Sequence, residues 1–426
     1  MGLHLKAKTM RKIKPILALI LLFSLFLPIS SVFASSMMWN ETYGGVWEEI
    51  AYSLVEASDG GYAFAGYTSS FGNGNYDFWL VKTDIYGNLE WNQTYGGLQR
   101  DSAYSLVSTS DGGYALAGYT ESFDSGGGGD FWLVKTDRYG NMEWSQAYGG
   151  PNLEKAYSLT RTSDGGYALA GSIRLFDNRN RLANDIWLVK TDKNGNMEWN
   201  LTFATPRFEE AYSMVQTKDG GYALAGGELL VKIDAYGNIE WNTTIYGMQA
   251  YSLVETSNGG YAMAGSNPLW GGRWLVETNS TGAVEWYKSY IGGSFYSLIE
   301  TSDAGFAIVG YVEPHREGGN FQLVKTDKFG VEEWNQTYGG LEHERAYALV
   351  ESSDGGYAIA GYISYSNFNP DAGWFNMFLI KTDEFGDVPE FSSWIHPLLV
   401  IVFGVIICMS IIFRHNMCKQ NQEKII

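Results

Sequence analysis

The sequence predicts an all-β protein, a seven-bladed β-propeller with four-stranded blades whose ring is closed by its own N-terminal strand. Three observations predict it. A unit reading AYSLVETSDGGYALAGYT, a variable loop, then DFWLVKTDxYGNxEWNQTYGG recurs seven times. Its Ala-Tyr mark falls at Ala51, Ala103, Ala156, Ala211 and Ala250, becomes Phe295-Tyr296, and returns at Ala346. Each unit holds four short runs of alternating or aromatic and β-branched residues, such as 104–109, 113–120, 131–136 and 142–148; four strands in one such repeat make a propeller blade. The seventh unit stops after the turn at 383–386 and is followed by Pro389, which has no ladder donor. A spare fourth strand, residues 38–45, stands at the other terminus. Pairing it with 378–382 closes the ring and removes the edges that an open array leaves exposed. An open β-solenoid is the alternative that would not need this strand.

The turns follow from local chemistry. Asp59-Gly60, Asp111-Gly112, Asp164-Gly165, Asp219-Gly220, Asn258-Gly259 and Asp354-Gly355 suit a tight hairpin between first and second strands. Residues 84–88, 137–141, 192–196 and 234–238 form a second Gly-containing hairpin, which ties each Trp-Asn strand to the Leu-Val-Lys strand before it. The composition agrees: 15% aromatic residues exclude disorder, and 52 glycines argue against a helical protein. Both cysteines, Cys408 and Cys418, lie in or beyond the last apolar run. Disulfide scaffolds, thiol enzymes and Cys-ligated zinc are thereby excluded from the repeats.

The termini read as membrane signals. Lys6, Lys8, Arg11, Lys12 and Lys14 precede the apolar run 16–27 and the small-residue site ending at Ala34, so residues 1–34 are expected to be a secretory signal peptide, with a retained N-terminal anchor as the alternative. Residues 394–413 are uncharged and long enough to cross a bilayer as a helix. Arg414, Lys419 and Lys424 follow, which places the tail 414–426 in the cytoplasm and the propeller, 35–387, outside the cell, joined by a juxtamembrane linker at 388–393. Without its ends the chain carries 21 basic and 46 acidic residues, a net charge of about −25, which excludes nucleic acid as a partner.

The pattern WxxTYGG, AYSL, DGGYxxAG, WLVKTDxxGNxxW, running from residue 39 to 387, resembles the secreted propeller repeats of bacterial and archaeal surface proteins. That resemblance implies fold and location rather than activity. Asp137, Gly140 and Trp144 are also similar to the docking motif of quinoprotein blades, one residue shorter in spacing, which implies a structural lock between blades and no quinone. Val388-Pro389-Glu390-Phe391 before the apolar span and basic tail resembles an archaeal PEF-CTERM sorting signal. This implies cleavage by an archaeosortase and attachment to a lipid, against the alternative of a plain transmembrane anchor.

Candidate functional residues fall into three groups. The Asn-x-Thr triplets at Asn40, Asn92, Asn200, Asn242 and Asn335 on outer strands, and Asn279-Ser280-Thr281 in a turn, are sites for N-glycosylation. Two residues before the repeat mark stand Glu49, Asp101, Glu154, Glu209 and Glu344. Five carboxylates around one mouth could hold Ca²⁺ or a cationic ligand, but spread around a rim they are more simply caps for the amides of adjacent strands. The loops between second and third strands vary from residues 172–185 in blade three to almost nothing at Gly226-Gly227-Glu228 in blade four. Short connections in blades four and five are expected to leave a notch on that face with Arg207, Phe208, Trp270, Arg273, His315 and Arg316 near it, whereas the recurring tryptophans are expected to seal blade against blade. No HExxH, GxSxG or Walker loop occurs, and no catalytic residue, metal ligand or cofactor is assigned.

These readings make the chain a membrane-anchored recognition or adhesion surface for an extracellular protein or glycan. A glycan-active hydrolase or lyase and a purely structural envelope component stand as alternatives. A cluster of Glu or Asp with Arg or Tyr converging on one mouth would favour the enzyme. Ligand and oligomeric state are left open.

Overall fold

The computed structural model describes residues 38–388 except 124–125, 127, 177–181, 204–209, 270, 313–318, 340–342 and 365–374. The expected signal peptide 1–34, the apolar span 394–413 and the basic tail 414–426 lie outside these residues. Among the described residues no helix is long and apolar enough to cross a membrane.

Seven antiparallel four-stranded sheets form the ring. Blade one runs through Glu49–Glu56, Tyr62–Thr68, Asp77–Thr83 and Leu89–Tyr95, and the next five blades repeat this order. Blade seven takes three strands from the C-terminal unit, His343–Glu351, Tyr357–Ser364 and Phe375–Lys381, and its fourth from Trp39–Tyr43. That strand pairs from Trp39 opposite Lys381 to Tyr43 opposite Met377, the closure expected from the truncated seventh unit. In every blade the two tight hairpins emerge on one face of the ring, the hairpin face. The link between blades and the connection from second to third strand emerge on the other, the loop face.

Six of the seven blades carry a buried lysine at their hairpin end. Lys82 Nζ lies 2.8 Å from both Asp59 and Glu90 and donates to the Thr83 carbonyl. Lys135, Lys190, Lys232 and Lys325 repeat the arrangement with Asp111 and Glu143, Asp164 and Glu198, Asp219 and Glu240, and Asp303 and Glu333. The ammonium thus staples the first turn to the third and fourth strands of its sheet. Blade five inverts the charge: Glu277 stands in place of the lysine and accepts from Asn258 Nδ2.

The core is a series of inter-blade seams. Ala63, Ala65, Phe78 and Leu80 of blade one pack on Leu106, Leu116, Trp132 and Val134 of blade two, and equivalent clusters fill the other junctions. Each seam is fixed in register by the fourth-strand tryptophan. Trp91 abuts Gly140 in the second hairpin of the next blade, where a Cβ would sit 2.6 Å from the indole, and Tyr95 Oη donates to the Gly140 carbonyl at 2.7 Å. Gly140 also has φ of +78°, so its lack of a side chain serves both the turn and the contact. Trp39 and Tyr43 make the same pair of contacts to Gly87, with Tyr43 Oη 2.6 Å from its carbonyl. The N-terminal strand therefore completes blade seven and locks blade seven onto blade one.

One expected loop is largely strand. Residues 172–185 of blade three continue the sheet as Tyr167–Phe176 and Leu182–Thr191, paired as far as Phe176 opposite Leu182. The alternation in Ser172-Ile173-Arg174-Leu175 is a strand pattern that the Asn- and Arg-rich sequence following it obscures.

Replacing Trp39 with Ala removes the closing contact on Gly87, the edge contact with Tyr62 at 5.8 Å and the bond from Nε1 to the Ile85 carbonyl. It is expected to cost about 3 kcal/mol, read as a lower urea midpoint. Tyr86→Ala, on the exposed tip of the same turn, should stay within about 0.5 kcal/mol. Equal shifts for the two variants would contradict closure through this seam.

Candidate functional site

The repeat mark itself builds the central channel. In six of the first strands the ladder register slips around the tyrosine, between Ala51 and Ser53 in blade one and at the corresponding pairs in blades two, three, five, six and seven. A bulge leaves one residue unpaired and turns it out of the sheet. Here the residue is Tyr52 and its counterparts Tyr104, Tyr157, Tyr251, Tyr296 and Tyr347, and in blade four Tyr212 takes the equivalent place. The seven rings touch neighbour to neighbour around the axis, with centroid separations from 4.9 Å for Tyr296 and Tyr347 to 5.4 Å for Tyr251 and Tyr296. Tyr347 meets Tyr52 at 5.0 Å and closes the circle. Their interplanar angles of 46° to 57° are tilted contacts that suit aromatic quadrupoles. The next residue stitches the inner wall: Ser53 Oγ accepts the Leu106 amide of blade two at 3.0 Å, and Ser105, Ser158, Ser213 and Ser252 do the same around the ring.

The tyrosine hydroxyls reach toward the loop face. Tyr157 and Tyr251 bond Ser172 and Ser266, Tyr347 bonds Arg345, and Tyr212 donates to Glu210 at 2.7 Å. Burial, with Glu210 adding to it for Tyr157 and Tyr212, raises these phenols well above their ordinary value, so they stay protonated.

Above this floor lies the position before the repeat mark, occupied in turn by Ile50, Ser102, Lys155, Glu210, Gln249, Ser294 and Arg345. Six residue types occupy one wall position in seven blades, beside an almost invariant Ala-Tyr. Lys155 Nζ sits 4.6 Å over the Tyr119 ring and Arg345 sits 4.8 Å over Tyr311. Arg100 lies 5.4 Å over Tyr76, whose hydroxyl donates to Glu48. Glu210 accepts from Asn184 Nδ2 at 2.5 Å, and Asn184 accepts from Arg174. Burial lowers the Lys155 pKa, opposed by Glu210 and Glu121. Three cations over ring faces, a carboxylate and ranked hydroxyls above an aromatic floor can grip a polyhydroxylated or peptidic ligand. A cleft of about 550 Å³ also opens at the outer edge between blades six and seven, walled by Phe321, Tyr338, Phe378 and Val388. None of the mouth residues borders it.

Of the residues expected to mark a notch, Arg273 alone is described, and it is placed differently. Arg207, Phe208, Trp270, His315 and Arg316 lie outside the described residues. Arg273 is buried, 5% exposed, in the seam between blades five and six, with its guanidinium 4.6 Å over Phe295 and no hydrogen-bond partner for Nε or Nη1. The reason is register. Arg273 opens the third strand opposite Ser266, where blades one and two carry Asp77 and Asp130 facing the seam. Burial brings its pKa down to about 10.

Glu49, Asp101, Glu154 and Glu344 are buried one to a seam, and Glu209 lies outside the described residues. Glu49 accepts the Gly45 amide at 3.0 Å and Thr68 Oγ1 at 2.9 Å. Asp101 accepts Gly97 N and Ser122 Oγ as well as Thr120 Oγ1. Each faces a second polar group across its seam: a Cβ on Gly96 would come within 2.8 Å of both Asp77 and Asp101, and one on Gly149 within 2.8 Å of both Asp130 and Glu154. In the closing seam Asn376, with its amide nitrogen turned inward, donates to Glu49 Oε2 at 3.3 Å. Among the described residues no group of three or more His, Cys, Asp or Glu is placed to hold a metal.

Asn40, Asn92, Asn200, Asn242 and Asn335 are exposed on outer strands. Asn92 and Asn200 accept from the indoles of Trp79 and Trp187. Asn279 holds its turn, accepting the amides of Thr281 and Ala283 at 3.0 Å. Sequence reasoning passed over the channel wall. Its signal was the variable residue before an otherwise fixed Ala-Tyr.

No protein-family model matches the chain, and the search of curated proteins returns no match. Among solved structures it is similar to the WD40 domain of Neurospora crassa Pan2, at TM-score 0.50 and 12% identity over 86% of this chain and 94% of that one. It is likewise similar to the RRP9 WD40 repeats, at TM-score 0.53 and 9% identity over 80% and 97%. These likenesses are of fold: the chain is built on the β-propeller.

Burial, with Asp130 alongside, pushes Glu154 up to about 7 despite the Gly150 amide. A carboxyl raised in the folded state contributes stability in full below its unfolded value of about 4.3, and loses it as pH rises through the folded value. The thermal midpoint should therefore fall between about pH 5 and 8, and Glu154→Gln should flatten that fall. An unchanged slope in the variant would contradict the assignment.

Proposed function

We propose that the chain is a recognition module displayed outside the cell, which binds an extracellular protein or glycan at the loop-face mouth of its channel. In this reading residues 1–34 direct secretion, and the propeller is held to the membrane by the helix 394–413 or by lipid attached after processing at Pro389-Glu390-Phe391. The outer-strand asparagines, exposed as they are, serve as glycosylation sites.

The observation that carries the reading is the contrast between two adjacent wall positions. Ala-Tyr is kept nearly constant because it builds the ring. The residue before it changes from Lys155 to Glu210 to Arg345, and these side chains converge with tyrosines on one mouth. A purely structural ring has no use for such variation at one mouth. Among the described residues, Glu210 beside Tyr212 is the feature that favours a glycan-active enzyme. Glu210 is already engaged by Asn184 and Tyr212, so binding is the first reading.

The test is binding of the full chain to a glycan array and to a panel of extracellular proteins, comparing Lys155→Ala and Arg345→Ala with Tyr236→Ser on the opposite face. Each mouth substitution should weaken binding roughly tenfold, about 1–2 kcal/mol for a partly desolvated cation over a ring, and Tyr236→Ser should leave it unchanged. Loss only in Tyr236→Ser would overturn the assignment to the mouth. Turnover of a bound glycan that Glu210→Gln abolishes while binding persists would establish the enzyme instead.

A further inference from the structure

The hairpin face carries its own regular feature. The third residue of the second hairpin is aromatic and exposed in five blades: Tyr86, Tyr139, Tyr236, Phe329 and Phe385, each between 53% and 84% exposed. Its backbone is fixed, because the aspartate opening the turn accepts its amide, as Asp84 does from Tyr86 at 2.8 Å and Asp327 from Phe329 at 2.9 Å. The first residues of the outer strands add Leu89, Met142, Met197, Ile239 and Val284, with Val331 beside them, all at least 41% exposed. All seven blades thus place apolar side chains on the outer rim of this face, and these are not the side chains that seal the seams. Arg138 lies 5.3 Å over Tyr139 and Lys328 5.1 Å over Phe329, so two of the tips pair an aromatic ring with a cation.

The chain enters and leaves the ring on this same face. Trp39, the first residue of the closing strand, pairs with Lys381 at the hairpin end, and the last described residues, through Val388, follow the second hairpin of blade seven. Residues 389–393 separate Val388 from the apolar span 394–413. Five extended residues reach at most about 17 Å. A ring tethered that closely cannot turn its loop face to the bilayer without lifting its exit point away from the membrane.

We infer that the hairpin face rests on the lipid surface, with the aromatic tips of its rim in the headgroup layer and the channel mouth facing away from the cell. The inference rests on the anchoring proposed above. Tyrosine is at home at the membrane interface, where an apolar ring meets a wet hydroxyl, and long basic side chains reach headgroup phosphates. The turn aspartates do not oppose this, because their carboxylates are satisfied within the turns: Asp137, for example, accepts the amides of Tyr139 and Asn141 and the side chain of Asn141.

The test uses the full chain, with Cys408→Ser and Cys418→Ser, reconstituted into phosphatidylcholine vesicles. Single cysteines introduced as Tyr139→Cys, Phe329→Cys or, on the loop face, Leu98→Cys (79% exposed in the native chain) carry an environment-sensitive fluorophore. A lipid bearing a headgroup nitroxide should quench both rim labels several-fold more than the Leu98 label, while aqueous iodide should show the reverse order. Equal quenching of all three in vesicles with which the protein co-floats would overturn the inference and leave the anchoring intact. Failure to co-float would overturn the anchoring and the inference with it. Quenching of the Leu98 label alone would show that the ring sits the other way up.

Discussion

Everything in this molecule depends on the seam where a fourth-strand tryptophan meets the second hairpin of the next blade. A single blade cannot bury both faces of its sheet, and a row of blades leaves two sheets open at its ends. The glycine in that hairpin meets both demands. Gly140 admits the Trp91 indole because it has no Cβ, and its carbonyl takes the Tyr95 hydroxyl, so packing and hydrogen bonding fix the same angle between blades. The contact varies without being lost. Phe203 replaces the tyrosine in blade three, and Thr243 Oγ1 reaches the Gly282 carbonyl in blade four. The closing strand makes the same contact at Gly87 through Trp39 and Tyr43, so closure needs no special device.

A ring held this way can spend its inner wall on something else. The bulge that turns six of the seven tyrosines to the axis costs those first strands a ladder bond, and Ser53, Ser105, Ser158 and Ser252, each following such a tyrosine, accept an amide from the neighbouring blade. Blade seven has Ala348 in place of that serine, a local weakness next to the closing seam. With channel and seams supported by fixed residues, the position before the repeat mark is free to differ from blade to blade. Lys155, Glu210 and Arg345 share one mouth for that reason.

Much of the architecture was legible in the sequence. The Asp-Gly turns, the missing seventh fourth strand and the spare strand at Trp39 are local or arithmetic signals, and the repeat multiplies each of them. The tryptophans read correctly as seals because a ligand site does not need seven equal groups. The site was less legible. Arg273 looked like a surface group in a short loop, but register places it at the head of a strand, in a seam where other blades carry aspartate. Glu49 and Asp101 looked like a rim, but they lie in seams, where they accept local amides and hydroxyls and face Asn376 and Asp77 from the third strands of neighbouring blades, an arrangement that only inter-blade geometry reveals. The channel tyrosines were inside the repeat mark all along, but a bulge has no sequence signature beyond the strand it interrupts.

The central claim is that the ring opens as one unit because its N-terminal strand is bound as firmly as any other. Native-state hydrogen exchange tests this most directly. The amides of Phe375–Lys381 that pair with Trp39–Tyr43 should exchange with the same opening free energy and denaturant dependence as those of Asp130–Thr136 in blade two. Exchange of the closing-blade amides through a smaller opening, well below the global unfolding free energy, would contradict the account and make blade seven a separately unfolding gate in the ring.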